Sequence, residues 1–194
     1  MMGMENLAFT VSVWVLPVLI AVTFHEAAHG WVAWRLGDDT AYRLGRVTFN
    51  PLSHIDLFGT ILLPALMLFA SGGRMMFGFA KPVPVNFSRL RRPRRDMVLV
   101  AAAGPGINLA LALISATLLH AVAWAPGAAE FWLQENLVNS VIINLVLAVF
   151  NMLPLPPLDG GRVAVGLLPR ALAMRLARLE RVGLFIIIGA LFLL

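Results

Sequence analysis

An all-α polytopic membrane protein is expected of this sequence, a helical bundle of about four spans with a short membrane-associated β-element and a re-entrant or interfacial segment. Of its 194 residues, 60% are hydrophobic and only 13% charged, too few polar side chains to build a water-facing surface. The apolar residues fall in several runs rather than in one anchor. The arginines lie between those runs, as the positive-inside rule requires.

The first span covers residues 7 to 36, long enough to cross about 30 Å of hydrocarbon at about 1.5 Å per residue. "MMGMENLAF" has a glutamate and no Lys or Arg ahead of the apolar run, so it lacks a signal peptide's basic region and reads as the start of a retained helix. Gly37-Asp38-Asp39 ends the span. In "AYRLGRVTFN", residues 41 to 50, Tyr42, Val47 and Phe49 sit among polar neighbours before Asn50-Pro51, which predicts one or two short strands with a free edge. "LFGTILLPALMLFA", from Leu57 to Ala70, contains Pro64 and falls short of the roughly 17 residues a span needs, so it is expected to re-enter or to lie at the interface. "SGGRMMFGFAKPVPVNF" carries Gly and Pro at a density that forbids a regular helix, and "RLRRPRR", Arg89 to Arg95, is an interfacial basic cluster.

A second span, about Met97 to Trp124, opens with "AAAGPGIN", small residues that admit a second backbone. "APGAAEFWLQEN" is expected to be a short loop. A third span, roughly Leu137 to Leu153, ends in "NMLPLPPLDGGR", whose prolines and glycines unwind the helix at membrane depth. Irregular backbone is tolerated there only where it lines a cavity or packs on protein. A basic amphipathic stretch, Pro169 to Arg181, leads into "VGLFIIIGALFLL", a last helix that is short or trimmed. Residues 1–194 are expected to form one membrane-embedded domain.

If the three spans cross once each and the 57–80 segment returns to its own side, Arg35, Arg43, Arg46, the 89–95 cluster, Arg162 and the arginines of 170–181 share one face, opposite Glu5, Glu130 and Glu135. That pattern places the N-terminus outside the cytosol in a cell membrane; Arg74 is the member whose side it does not fix. The net charge of +5 is thereby explained without nucleic acid as a partner. With no cysteine, there are no disulfides, thiolate metal sites or cysteine nucleophiles, and any metal must be held by His, Asp or Glu.

"TFHEAAHGW" puts two histidines and a glutamate inside the first span. Each ionisable side chain there costs on the order of 2.5 to 3.5 kcal/mol on insertion scales, so three within five residues imply a compensating partner, and a metal ion is the obvious one. His25 and His29, spaced i, i+4, lie on one helix face a turn apart, as two ligands of one tetrahedral zinc require. Glu26 is displaced around the helix, where it can reach a water on the metal, the general-base position of an HExxH metallohydrolase. A third protein ligand is needed. His120 lies at the wrong depth, near the non-cytosolic end of its span, whereas Asp159 matches in depth, sign and local backbone freedom. Were it the only signal, a helix cap ahead of Gly160-Gly161 would be the plainer use for Asp159.

"HEAAH" in the first span together with "NMLPLPPLDGGR" in the third resembles the site-2 protease family of intramembrane zinc metalloproteases, with its paired HExxH and NxxPxPxxxDG-type signatures. "AAAGPGINL", "GRVTFNPLSHID" and "FAKPVPVN" are similar to its compact bacterial subgroup, which lacks PDZ and CBS domains. The resemblance implies one zinc per chain on His25, His29 and Asp159, Glu26 as the base, and Asn151 as a donor to the substrate carbonyl or its oxyanion. It also implies that the 42–50 segment, with Arg46, Val47, Thr48 and Phe49, is a β-element whose edge holds an unwound substrate as an added strand. A helix hides its peptide bonds in internal hydrogen bonds, so a transmembrane substrate must unwind before water can attack it.

Asn108, Asn139 and Asn144 are expected to be interhelical glue, with Asn108 also placed among the substrate contacts. His54 and Asp56 in "SHID" read as an interfacial turn, with outer support of the site or substrate gating as alternatives. The expected function is hydrolysis of a peptide bond within or beside a transmembrane segment of a single-span membrane protein or peptide, near the cytosolic face of the bilayer. An inactive zinc-containing relative that binds transmembrane helices is the alternative. A metal transporter would need a polar route that the scattered Asn, Ser and His120 do not supply.

Overall fold

The computed structural model describes residues 4–70, 78, 80–124 and 127–193. Three long helices, α1 (Met4–Arg35), α4 (Pro93–Leu119) and α5 (Ala128–Asn151), all pack on one another. Stretches of 28, 27 and 23 residues within them are long and apolar enough to cross a membrane, so the chain is a multi-pass membrane protein. Among the described residues there are three such helices rather than about four, because the last helix, α8 (Glu180–Leu193), has only 14 residues.

Local chemistry sets the ends of these helices. Pro93 opens α4, where its missing N–H costs nothing, and the Asp96 carboxylate accepts from the Arg92 N–H at 2.8 Å. Helix α5 begins at Ala128, well before the expected Leu137, and takes in most of the stretch expected to be a loop. Gly127, at φ +49°, makes the turn, after which "AAEFWLQENL" is rich in strong helix formers and has Glu130 in its first turn.

The chain's charge is sorted along the bundle. At one end, Arg91 N donates to Leu36 O (3.1 Å), Arg89 pairs with Asp39 (2.6 Å), and the Arg162 guanidinium lies over the Phe87 ring at 5.6 Å. At the other, Phe9 stacks on Phe131 and Trp132 Nε1 donates to Ser12 Oγ (3.0 Å), beside Glu130 and Glu135.

The expected β-element does not form, and among the described residues there is no strand. Residues 40–43 are instead a single helical turn, α2 (Thr40–Arg43), followed by Gly45 at φ +65° and by bends. The local i→i+4 and i→i+5 bonds, Leu44 N to Thr40 O and Arg46 N to Ala41 O, use the backbone groups a strand would have offered to a partner. Asp56 caps the next segment through Gly59 N (2.7 Å), and Leu57–Leu62 forms a wide π-type turn leading into α3 (Leu63–Ala70), together too short to cross. Residues 71–77 and 79, with Arg74 and most of the Gly-rich stretch, lie outside the described residues.

Residues 80–86 then run as an irregular strap along α1. Lys81 N donates to His54 O (2.9 Å), Arg46 Nη2 donates to Lys81 O (2.9 Å), and Asn86 N donates to Asp38 Oδ2 (2.6 Å). Asp38 is fully buried, and its other oxygen accepts from Thr40 N and Oγ1.

Past α5 the chain folds back on itself to enter α6 (Asp159–Leu167). A Cβ on Gly160 would strike Met152 O, and one on Gly161 would strike Pro156 N, so this turn closes only with glycine at both positions. Helix α6 packs on α4, with Arg94 Nε donating to Gly166 O (3.0 Å), and continues through α7 (Arg170–Ala177) to α8.

Candidate metal centre

Helix periodicity puts His25 and His29 on one face of α1, and the glycine turn brings Asp159 across to meet them. His25 Nε2 and His29 Nε2 are 3.0 Å apart, and Asp159 Oδ2 is 3.1 Å from the first and 3.3 Å from the second. All three residues are buried.

The donor set fits zinc. Two imidazole nitrogens and a carboxylate oxygen are the ligand types of a catalytic zinc. Ligands about 2.0 to 2.1 Å from a tetrahedral ion stand about 3.3 Å from one another, close to the three separations found. The floor of the site is also shaped for it: a Cβ on Gly104 of α4 would overlap Nε2 of both histidines. Behind the rings, His29 Nδ1 donates to Val100 O (2.7 Å) and His25 Nδ1 to Asn108 Oδ1 (2.5 Å). Both partners are acceptors, so each ring carries its hydrogen on Nδ1 and turns the Nε2 lone pair inward.

Glu26 is half-buried beside the cluster, and its Oε2 accepts from Val83 N–H at 2.7 Å. Asn151 sits at the end of α5 and donates through Nδ2 to Leu147 O, 3.0 Å away on its own helix. The 46–49 segment borders α1 next to the histidines. Phe49 stacks on Phe24 at 4.5 Å, Val47 lies against Gly30, and Thr48 O accepts from His54 Nε2 (3.0 Å). Asn108 is fully buried, with its amide engaged by His25, Ala21 and Asn144.

Sequence reasoning missed Val83, whose contribution is a main-chain N–H. The available signal was the pattern "KPVPV", in which Pro82 and Pro84 have no N–H and Val83 is left as the donor between them.

The sequence model of peptidase family M50 matches residues 13–133 and 126–194. The chain belongs to this family, the site-2 proteases. It is 40% identical over 190 residues to "Putative zinc metalloprotease YwhC" of Bacillus subtilis (strain 168), covering 92% of this chain and 78% of that one. It is 32% identical over 161 residues to "Putative zinc metalloprotease MJ0611" of Methanocaldococcus jannaschii, covering 80% and 72%. It is 32% identical over 142 residues to "Putative zinc metalloprotease Rip2" of Mycolicibacterium smegmatis, covering 73% of this chain and 52% of that one. No solved structure matches. By family and by its apolar helices, this M50 member is a membrane zinc metalloprotease.

Proposed function

We propose that the protein is an intramembrane protease, which hydrolyses a peptide bond within or next to a transmembrane segment of a membrane protein as a step of regulated intramembrane proteolysis. The observation that carries this reading is the convergence of His25, His29 and Asp159 within a lipid-crossing bundle, with Glu26 adjacent on the same helix. His25 Nε2, His29 Nε2 and an Asp159 oxygen would hold one zinc. When bound, zinc lowers the pKa of a water to about 7 and polarises the scissile carbonyl.

Glu26, anchored at Oε2 by Val83, takes the water's proton and delivers it to the departing amine. Asn151 Nδ2 has two N–H groups; one is spent on Leu147 O, and the second is the donor to the carbonyl oxygen. Arg46, Val47, Thr48 and Phe49 border the same side of α1 and contact a locally unwound single-span substrate. The basic end of the bundle faces the cytosol of a cell membrane and the N-terminus faces away. His29 lies six residues from Arg35, about 9 Å along the helix, a spacing that supports a site near the cytosolic face.

The test is to purify the wild type and Glu26→Gln in detergent, match their zinc content, and incubate each with a panel of single-span substrates. Cleavage by the wild type, abolished in the variant, is expected. Full turnover by Glu26→Gln would remove this residue from the mechanism. Equal zinc in both with no cleavage by either would favour a helix-binding relative.

A further inference from the structure

We infer that Asn108 and Asn144 are positioning residues that hold His25 in its metal-binding tautomer, an inference that rests on the metal reading above. Only an imidazole with its hydrogen on Nδ1 leaves Nε2 free to bind a cation. For His29 that tautomer is set by a main-chain carbonyl, Val100 O, which can only accept. His25 has no such fixed partner. It faces the Asn108 side-chain amide, which can present either oxygen or nitrogen. With the amide reversed, Nδ2 would donate to His25 Nδ1, drive the ring hydrogen to Nε2 and aim an N–H at the metal's place.

The surroundings forbid that reversal. Asn108 Nδ2 donates to Ala21 O at 3.2 Å and to Asn144 Oδ1 at 2.7 Å, so a flipped amide would set its oxygen against two others. Asn144 cannot turn to accommodate it, because its own Nδ2 donates to Ser140 O at 2.8 Å and lies 3.2 Å from Ser140 Oγ. The direction of every bond is therefore anchored at two main-chain carbonyls, Ala21 on α1 and Ser140 on α5, whose polarity no side-chain rotation reverses. Both asparagines are 0% exposed, so neither is open to substrate or lipid. Simple interhelical adhesion would be satisfied by the Asn108–Asn144 bond; it does not require the Asn108 oxygen to face His25.

The experiment compares the wild type, Asn108→Leu, Asn108→Asp and Asn144→Leu in detergent. It measures zinc affinity by chelator competition, the visible spectrum of the cobalt-substituted protein, and thermal stability without metal. Asn108→Leu is expected to lose about 10- to 100-fold in zinc affinity and to change the cobalt spectrum. Asn144→Leu, which touches no histidine, is expected to weaken zinc in the same direction. Asn108→Asp keeps an acceptor for His25 while losing both donated bonds, so its metal-free stability falls but its zinc affinity and cobalt spectrum stay near wild type. Wild-type zinc affinity in Asn108→Leu would overturn the inference, as would an Asn108→Asp no better than Asn108→Leu. Should Asn108→Leu fail to fold, Asn144→Leu set against Asn108→Asp gives the same contrast. A wild type that binds no zinc would overturn the metal reading and this inference together.

Discussion

Val83 donates its main-chain N–H to Glu26 Oε2 across 2.7 Å, joining the strap of residues 80–86 to the glutamate of the HExxH motif. Hydrogen bonds to charged groups contribute about 1.5–3 kcal/mol, enough to decide where a carboxylate points. Val83→Pro removes this donor in a stretch already built of alternating prolines. The variant is expected to keep its zinc and to lose turnover by about tenfold or more, as measured on a single-span substrate with zinc content determined in parallel. Undiminished turnover would mean that Glu26 is positioned by something else.

Gly104 and Gly106 lie two residues apart on α4 yet should respond in opposite ways to the same methyl group. A Cβ at Gly104 overlaps both histidine Nε2 atoms, whereas one at Gly106 meets nothing within 4 Å. Gly104→Ala is expected to abolish stoichiometric zinc binding. Gly106→Ala should retain it and, by relieving a glycine in a helix, raise stability by about 0.5–1 kcal/mol. Elemental analysis and thermal denaturation in detergent check both.

Gly160→Ala tests the turn that delivers Asp159. The added methyl would meet Met152 O, main chain that cannot rotate away, and overpacking of this kind costs about 1–3 kcal/mol. Zinc affinity and melting temperature should fall together, because the displaced turn carries a proposed ligand. A variant with reduced stability and unchanged zinc affinity would detach this turn from the metal centre.

Much of the site was legible because its parts are anomalies in lipid. Charged and imidazole side chains at helical spacing in the first span, and an Asp-Gly-Gly after a proline-broken helix, have few uses there, and the fold brings His25, His29 and Asp159 within 3.3 Å of one another. The three long helices followed from hydropathy for the same reason. Two local readings went astray. Alternation in residues 41–50 suggested strands, but a strand needs a partner, and Leu44 and Arg46 close local turns instead. The start of α5 was placed late because Glu130, Gln134 and Glu135 look like a loop by polarity, although they are good helix formers. The Val83 contact is made by main chain, so its residue type gives only indirect notice of it. Asn108 was recognised as a buried amide, but whether such a group glues helices or orients a ring depends on which way its oxygen faces, and composition does not encode that.

The buried Asp38 carboxylate gives the site a second brace, distinct from the one behind the histidine rings. Its grip on Asn86 closes a circuit that runs along α1 from Glu26 to Asp38, crosses to the strap, and returns through Val83 to Glu26. His29 lies on the α1 limb of that circuit, but the side chains of the three metal-facing residues are braced separately, by α4 and the turn into α6. A displacement of the strap at the headgroup level would therefore reach the Glu26 carboxylate first, through Val83, and leave the side-chain braces of the histidines in place.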